Sequence, residues 1–315
     1  ILTSLDISDI LSGYDQLKIR VGAIASHSAL DIFDGAIEEG FPTVAYAQKG
    51  REKTYCNYFV ASRSNSGRVV RGIVDRTILL DRFSDIMSDS FQQQMRERNV
   101  VLIPNRSLTS YVHLDLIEDK LRIPMFGNRS MLRIEERGLI DDYYSLLEKG
   151  GLPTPEKVNP IDINSLTIVK LHHAQKTLER GFFTASSFEE YTEKSHLLLK
   201  NQTITEEDLS KARIEKYIIG PVFNLDFFHS PLALENEPRL ELLGVDWRFE
   251  SSLDGHVRLP AQQQLALNPL QALPEMTVTG HSFATLRESL LEKAFELGEK
   301  FIDISAKIHS PGIIG

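Results

Sequence analysis

Residues 21–47 limit the fold of this chain more than any other stretch. A short apolar run at 21–25 breaks at the polar triplet Ser26-His27-Ser28, and a helical pattern follows with Leu30, Phe33 and Ile37 on one face. After Gly40-Phe41-Pro42, a second strand-like run covers 43–47. Strand, polar loop, helix and strand make up the unit from which parallel sheets are built, so the expected class is α/β. In open α/β sheets the loop after a strand lies at the carboxyl edge, where ligands bind, and a helix start there offers free N–H groups to an anion. His27 is thus a titratable group where chemistry could occur. Taken alone it fits a capping or buried histidine as well.

With 315 residues the chain has room for two or three compact units. A net charge of −9 speaks against nucleic acid or an anionic membrane as a partner, yet permits one small phosphorylated ligand in a local basic pocket. Cys56 is the single cysteine, so an internal disulfide is ruled out and a reducing compartment, the cytoplasm, is expected. No apolar run approaches a membrane span and no signal peptide is visible. The chain opens on Ile1 rather than Met, which reads as a clipped start.

A first unit is expected over 1–124. It contains a strand-like run at 78–81, a polar helix near 85–98, the strand 100–103 and a second polar loop, Pro104-Asn105-Arg106-Ser107, on the same sheet edge as His27. SRSNSG at 62–67 reads as a flexible surface insertion. PMFGNR at 124–129 is the seam. A helix through about residue 147 should follow, with Met131, Ile134, Leu139 and Tyr143 toward the core, ending at Gly150-Gly151. Strands are expected at 166–171, 181–184, 214–219, 222–228 and 240–245, and helices at 188–199 and 284–308.

Several residues could carry chemistry. Lys170 closes the run TIVK, where a lysine can meet a phosphate as a point charge or simply face water. Glu215, near the start of IEKYIIG, could bind a nucleotide or lie on an ordinary edge strand. Asp246, Arg248, Glu250 and Asp254 fall at even positions, one face of a strand, suited to a phosphate clamp or to solvent; Val245, Trp247 and Phe249 make the opposite face core. His172-His173 point to opposite faces of a strand and cannot chelate one ion. No CxxC, HExxH, GxSxG or GxxxxGK[ST] occurs.

IASHSALDIFDGAIEEGF, PMFGNRSMLR, TIVK, RGFFTASS, IEKYIIG, HSPL, ELLGVDWRFESSLDG, VTGH and SPGIIG, in this order, resemble the archaeal PurP group, the 5-formaminoimidazole-4-carboxamide ribonucleotide (FAICAR) synthetases of the ATP-grasp superfamily. The resemblance implies a Rossmann-like domain at 1–124 and an ATP-grasp domain at 125–315, divided into a lid at 152–220 and a C-terminal part at 221–315. It implies an ATP-dependent carbon–nitrogen ligase of purine biosynthesis. Formate, ATP and 5-aminoimidazole-4-carboxamide ribonucleotide (AICAR) would give FAICAR, ADP and phosphate through formyl phosphate, with Mg²⁺ as cofactor and a homo-oligomer as the assembly. His27 is the implied catalytic residue and, with Ser107 and His281, an AICAR contact. Lys170, Glu215, Tyr217 and Glu250 fall at ATP positions, and no metal ligand is identified.

This chain departs from the family pattern. Its glycine-rich lid loop is replaced by LHHAQKTLERGFF, the usual His-Gly before Ser107 is Asn105-Arg106, and His281 stands where the family has asparagine. The family's magnesium-binding acidic residues follow the segment at which this chain stops. The expectation is a member that is divergent or incomplete at its C-terminus. An impaired nucleotide-binding paralogue, or a ligase for another amine, are the alternatives.

Overall fold

The computed structural model describes residues 7–135, 142–171, 182–234, 237, 239–250, 256, 258–268 and 278–309, with the backbone alone at 248, 250 and 278. Contacts divide the chain into two units, Ile1–Arg133 with His309–Gly315, and Ile134–Ile308.

The first unit opens with a short helix α1 (Ile7–Leu11), then β1 (Arg20–Ile24), α2 (Ala29–Glu38) and β2 (Thr43–Gln48). The hairpin β3 (Ser62–Arg63) and β4 (Val69–Arg71) leads to β5 (Arg76–Leu80), α3 (Asp89–Glu97) and β6 (Val100–Leu102). Helices α4 (Arg106–Tyr111) and α5 (Leu114–Lys120) follow. The main sheet runs β5-β2-β1-β6, all parallel, with Val21 beside Thr43 and Gly22 beside Leu102. Strands β1 and β2 are near-continuous apolar runs because helices cover both faces of a parallel sheet. One face carries Tyr46, Phe83, Met95 and Ile117; the other carries Phe33, Ala45 and Tyr55. At Gly22 a Cβ would collide with the Tyr46 hydroxyl, so the central strand needs glycine there.

PMFGNR extends this sheet. The Leu102 N–H donates to the Pro124 carbonyl (2.8 Å) and the Phe126 N–H donates to the Leu102 carbonyl (2.9 Å). Gly127 then turns the chain in the left-handed region (φ +86°). The buried Arg129 guanidinium donates to the carbonyls of Ile117 (2.9 Å), Leu121 (2.5 Å) and Ile123 (2.9 Å). Burial pulls its pKa down to about 10.

Two local expectations change. The 62–67 insertion is ordered as the turn of the β3–β4 hairpin, because Arg63 makes a forked ion pair with Asp75 (2.5 and 2.7 Å) and donates to the Gly67 carbonyl. The helix expected from 128 is a 3₁₀ segment, Arg129–Glu135, followed later by α6 (Tyr143–Lys149). The Asn128 side-chain oxygen accepts from the Ser130 N–H (2.9 Å), a local bond that competes with α-helical pairing. Leu139 lies outside the described residues.

In the second unit, β7 (Thr167–Lys170) and β8 (Phe182–Ala185) precede α7 (Phe188–Lys200), α8 (Glu206–Ser210) and β9 (Arg213–Lys216). The sheet order is β8-β7-β9, antiparallel. Val169 and Ile214 enter the core beneath α7 and α8, which turns Lys170, Arg213 and Glu215 to the other face. A second antiparallel sheet runs β10 (Phe223–Phe228), β11 (Glu241–Glu250) and β12 (Val278–Phe283). On β11 the odd face is core at Val245, whereas Trp247 stays 38% exposed and meets Phe249 edge-on. The last helix is Glu288–Ile308, four residues shorter than expected, since the Ala284 N–H still bonds to the Val245 carbonyl at the sheet. No described helix is long and apolar enough to cross a membrane.

Arg129→Met strips donors from three buried carbonyls while removing one buried charge. We expect a loss of about 3 kcal/mol, read as a fall in the urea midpoint at unchanged m-value.

Candidate functional site

At the carboxyl edge of the parallel sheet, two loops meet. The first is Ser26-His27-Ser28, between β1 and α2. His27 is exposed and sits in the left-handed region at φ +48°, a conformation that a non-glycine residue seldom adopts without support. The second loop follows β6. There Asn105 caps α4 by accepting from the Ser107 N–H (3.2 Å), and its side-chain amide reaches across the sheet edge to the carbonyls of Ile24 (2.9 Å) and Ser26 (3.0 Å). Ser107 itself is fully buried, and its hydroxyl has no hydrogen-bond partner among the described residues.

The β8-β7-β9 sheet carries a second constellation. Glu215 is 1% exposed, and a carboxylate so buried needs compensating charge. It receives the Lys170 ammonium on one oxygen and the Arg213 guanidinium (2.8 Å) on the other. The Lys170 Nζ also donates to the Tyr144 hydroxyl (2.8 Å), while the Arg213 guanidinium lies 3.7 Å from the centre of the Tyr144 ring. Glu148, one turn along α6 from Tyr144, accepts from Lys157 (2.7 Å) and Arg213 (3.2 Å), and these bonds hold its carboxyl below the ordinary range. A groove of about 730 Å³ meets the cluster at Tyr144 and Arg213. Tyr217 is partly exposed just past β9, its N–H on the Leu166 carbonyl (3.0 Å).

The third group lies on the β10–β11–β12 sheet. Asn224 donates to Asp246 (2.9 Å). Desolvation, then the neighbouring Asp246 charge, raises the Asp226 carboxyl above its ordinary range, and His281 acts the other way. The Arg248 backbone pairs with His281, and the Glu250 backbone with Val278.

Two family descriptions match the sequence, both without an assigned role: a protein of unknown function (DUF1246) over residues 21–158 and a domain of unknown function (DUF1297) over 190–315. Longer matches are more informative. Over 98% of this chain and 79% of the relative, it is 39% identical to the 5-formaminoimidazole-4-carboxamide-1-(beta)-D-ribofuranosyl 5'-monophosphate synthetase of Methanothermobacter thermautotrophicus. The protein of the same name from Methanocaldococcus jannaschii is 38% identical over 98% of this chain and 80% of its own length. The chain belongs to the PurP family of FAICAR synthetases.

The solved PurP of Thermococcus kodakaraensis, an IMP biosynthesis protein, superposes with a TM-score of 0.63 at 29% identity, covering 94% of this chain and 78% of that one. The N5-carboxyaminoimidazole synthetase of Staphylococcus aureus, solved with ADP, gives 0.53 at 12% identity over 92% and 65%. At that identity it speaks for the fold alone, the ATP-grasp fold behind a Rossmann-like domain. Of the residues that the PurP motifs single out, Lys170 and Glu215 form one ion pair, and His27 shares a sheet edge with the Ser107 segment. The replaced lid loop, with His172 and His173, lies outside the described residues.

Sequence reasoning missed Arg213, Tyr144 and Asn105. Arg213 stands two residues before Glu215 on a strand, so same-face spacing could have found it. Asn105 was legible as a helix cap, though not as a bridge to residues 79 and 81 positions away. Tyr144 reaches Lys170 only through tertiary packing, and nothing in the local pattern announces it.

Because the Glu148 carboxyl is held below its ordinary value of 4.5, its bonds support the fold above that pH and are lost as pH falls through the depressed value. Near-ultraviolet circular dichroism of the Tyr143–Tyr144 pair should change in that acid range, and Glu148→Gln should remove this pH dependence.

Proposed function

We propose that the protein is a FAICAR synthetase, joining formate to the amine of AICAR while ATP becomes ADP and phosphate, a step of purine biosynthesis. The observation that carries this reading is the identity of 39% and 38% to relatives named for that product, along 98% of the chain. The absence of a nucleophile motif agrees with it, since phosphoryl transfer depends on positioning and charge neutralisation more than on covalent protein chemistry.

In this reading a formate oxygen attacks the γ-phosphorus and the bond to ADP breaks. The AICAR amine then attacks the formyl carbon, loses a proton, and phosphate departs with the oxygen that formate supplied. Lys170 meets the nucleotide phosphates. Glu215 fixes the lysine in place, because a buried carboxylate restricts where the ammonium can go. His27 and Ser107 serve AICAR, with His281; Tyr217 and Glu250 serve the nucleotide. Ser107 is buried in this structure, so its contribution runs through the α4 start that it helps to form. Magnesium accompanies ATP in such transfers. Among the described residues no group of three or more His, Cys, Asp or Glu side chains converges to hold it.

Purified protein given ATP, formate and AICAR should form FAICAR with an equal amount of ADP, and neither product without all three. Lys170→Met should slow this by about 100-fold or more while leaving the fold intact by circular dichroism. Binding of ATP and AICAR with no formate-dependent product would overturn the reading.

A further inference from the structure

The His27 loop has an unfavourable backbone and one conspicuous support. A left-handed residue with a side chain costs roughly 1–2 kcal/mol, and such a conformation persists where its surroundings over-determine it. Here the support comes from the next strand over. Both protons of the Asn105 side-chain amide are engaged, one on the Ile24 carbonyl and one on the Ser26 carbonyl, the latter belonging to the residue just before His27. Those carbonyls already accept from the Ser26 N–H (2.8 Å) and the Ala29 N–H (3.1 Å), so the amide adds a second donor to each. The amide oxygen meanwhile accepts from the Ser107 N–H. This fixes which way the amide points: turned over, its oxygen would face two carbonyls and its NH₂ an N–H.

With both donors used, Asn105 has none left for a substrate. We propose that Asn105 is a positioning residue: it locks the β1–α2 loop so that the His27 imidazole is presented to AICAR, and it does this without touching AICAR. The inference rests on the reading of His27 as an AICAR contact. It also gives a physical role to one of this chain's departures from the family pattern, Asn105 in place of the usual histidine two residues before Ser107. Asp in this position would keep the cap on α4, lose both donors, and set a carboxylate against two carbonyl oxygens. Ala would remove cap and bridge together with no new charge.

The test is steady-state kinetics on Asn105→Asp, Asn105→Ala, His27→Ala and the Asp–Ala double variant, with thermal unfolding of each. Both Asn105 variants should raise the KM for AICAR by about tenfold or more with the KM for ATP within about twofold. Adding His27→Ala to Asn105→Asp should bring less than about twofold further loss, because the histidine is already misplaced. The inference is overturned if His27→Ala raises the AICAR KM while the Asn105 variants change only the unfolding temperature. It is equally overturned if the two losses multiply independently. Should His27→Ala leave AICAR use unchanged, the reading of His27 fails first and the inference falls with it. If Asn105→Asp does not fold, Asn105→Ala carries the comparison.

Discussion

A carboxylate cannot be buried without a counter-charge, and Glu215 is the place in this molecule where that rule has most effect. Leaving such a charge unpaired costs several kcal/mol, so the polar face of the β8-β7-β9 sheet has to assemble as one piece. The antiparallel register sets Lys170 opposite Arg213 and Ile168 opposite Glu215, bringing both cations to the same face as the acid. Tyr144 closes over them from α6, taking a bond from Lys170 with its hydroxyl and the Arg213 guanidinium on its ring. Lys170, to which the proposed function gives the nucleotide phosphates, is therefore held by structure, with its side chain still 21% exposed. A preorganised charge of this kind does not have to reorient when the reaction begins.

The first unit meets a similar demand by giving backbone carbonyls side-chain donors. A parallel sheet buried on both faces leaves its carboxyl edge as the open place for chemistry. The loops at that edge carry an irregular backbone that must find partners. Asn105 supplies them at the His27 loop, and Arg129, from the PMFGNR segment, does the same for the carbonyls around α5. The neutral Asn105 amide suits the sheet edge, where an ion pair would be weakened by water.

The parallel sheet was legible in the sequence because β1 and β2 are short apolar runs separated by a helical pattern, and local periodicity is enough to see that. Lys170 and Glu215 were legible as strand-borne polar residues, although periodicity could not show that they pair or that Glu215 is buried. The 3₁₀ segment after Asn128 was hidden because one side-chain bond to Ser130 outweighs a good helical pattern. The hairpin at 62–71 was hidden because its order comes from Asp75, twelve residues beyond Arg63. Two of the contacts that escaped are long-range: Tyr144 to Lys170 and Asn105 to Ser26.

In the proposed reaction, held charges and a held loop position formate, ATP and AICAR. The central claim is that formate is activated as its phosphoric anhydride. Formate labelled with ¹⁸O in both oxygens tests this most directly, by mass spectrometry of the products of a single turnover with ATP and AICAR. The account predicts one labelled oxygen in the released phosphate and the other in the formyl group of FAICAR. Phosphate free of label, with FAICAR still formed, would contradict it.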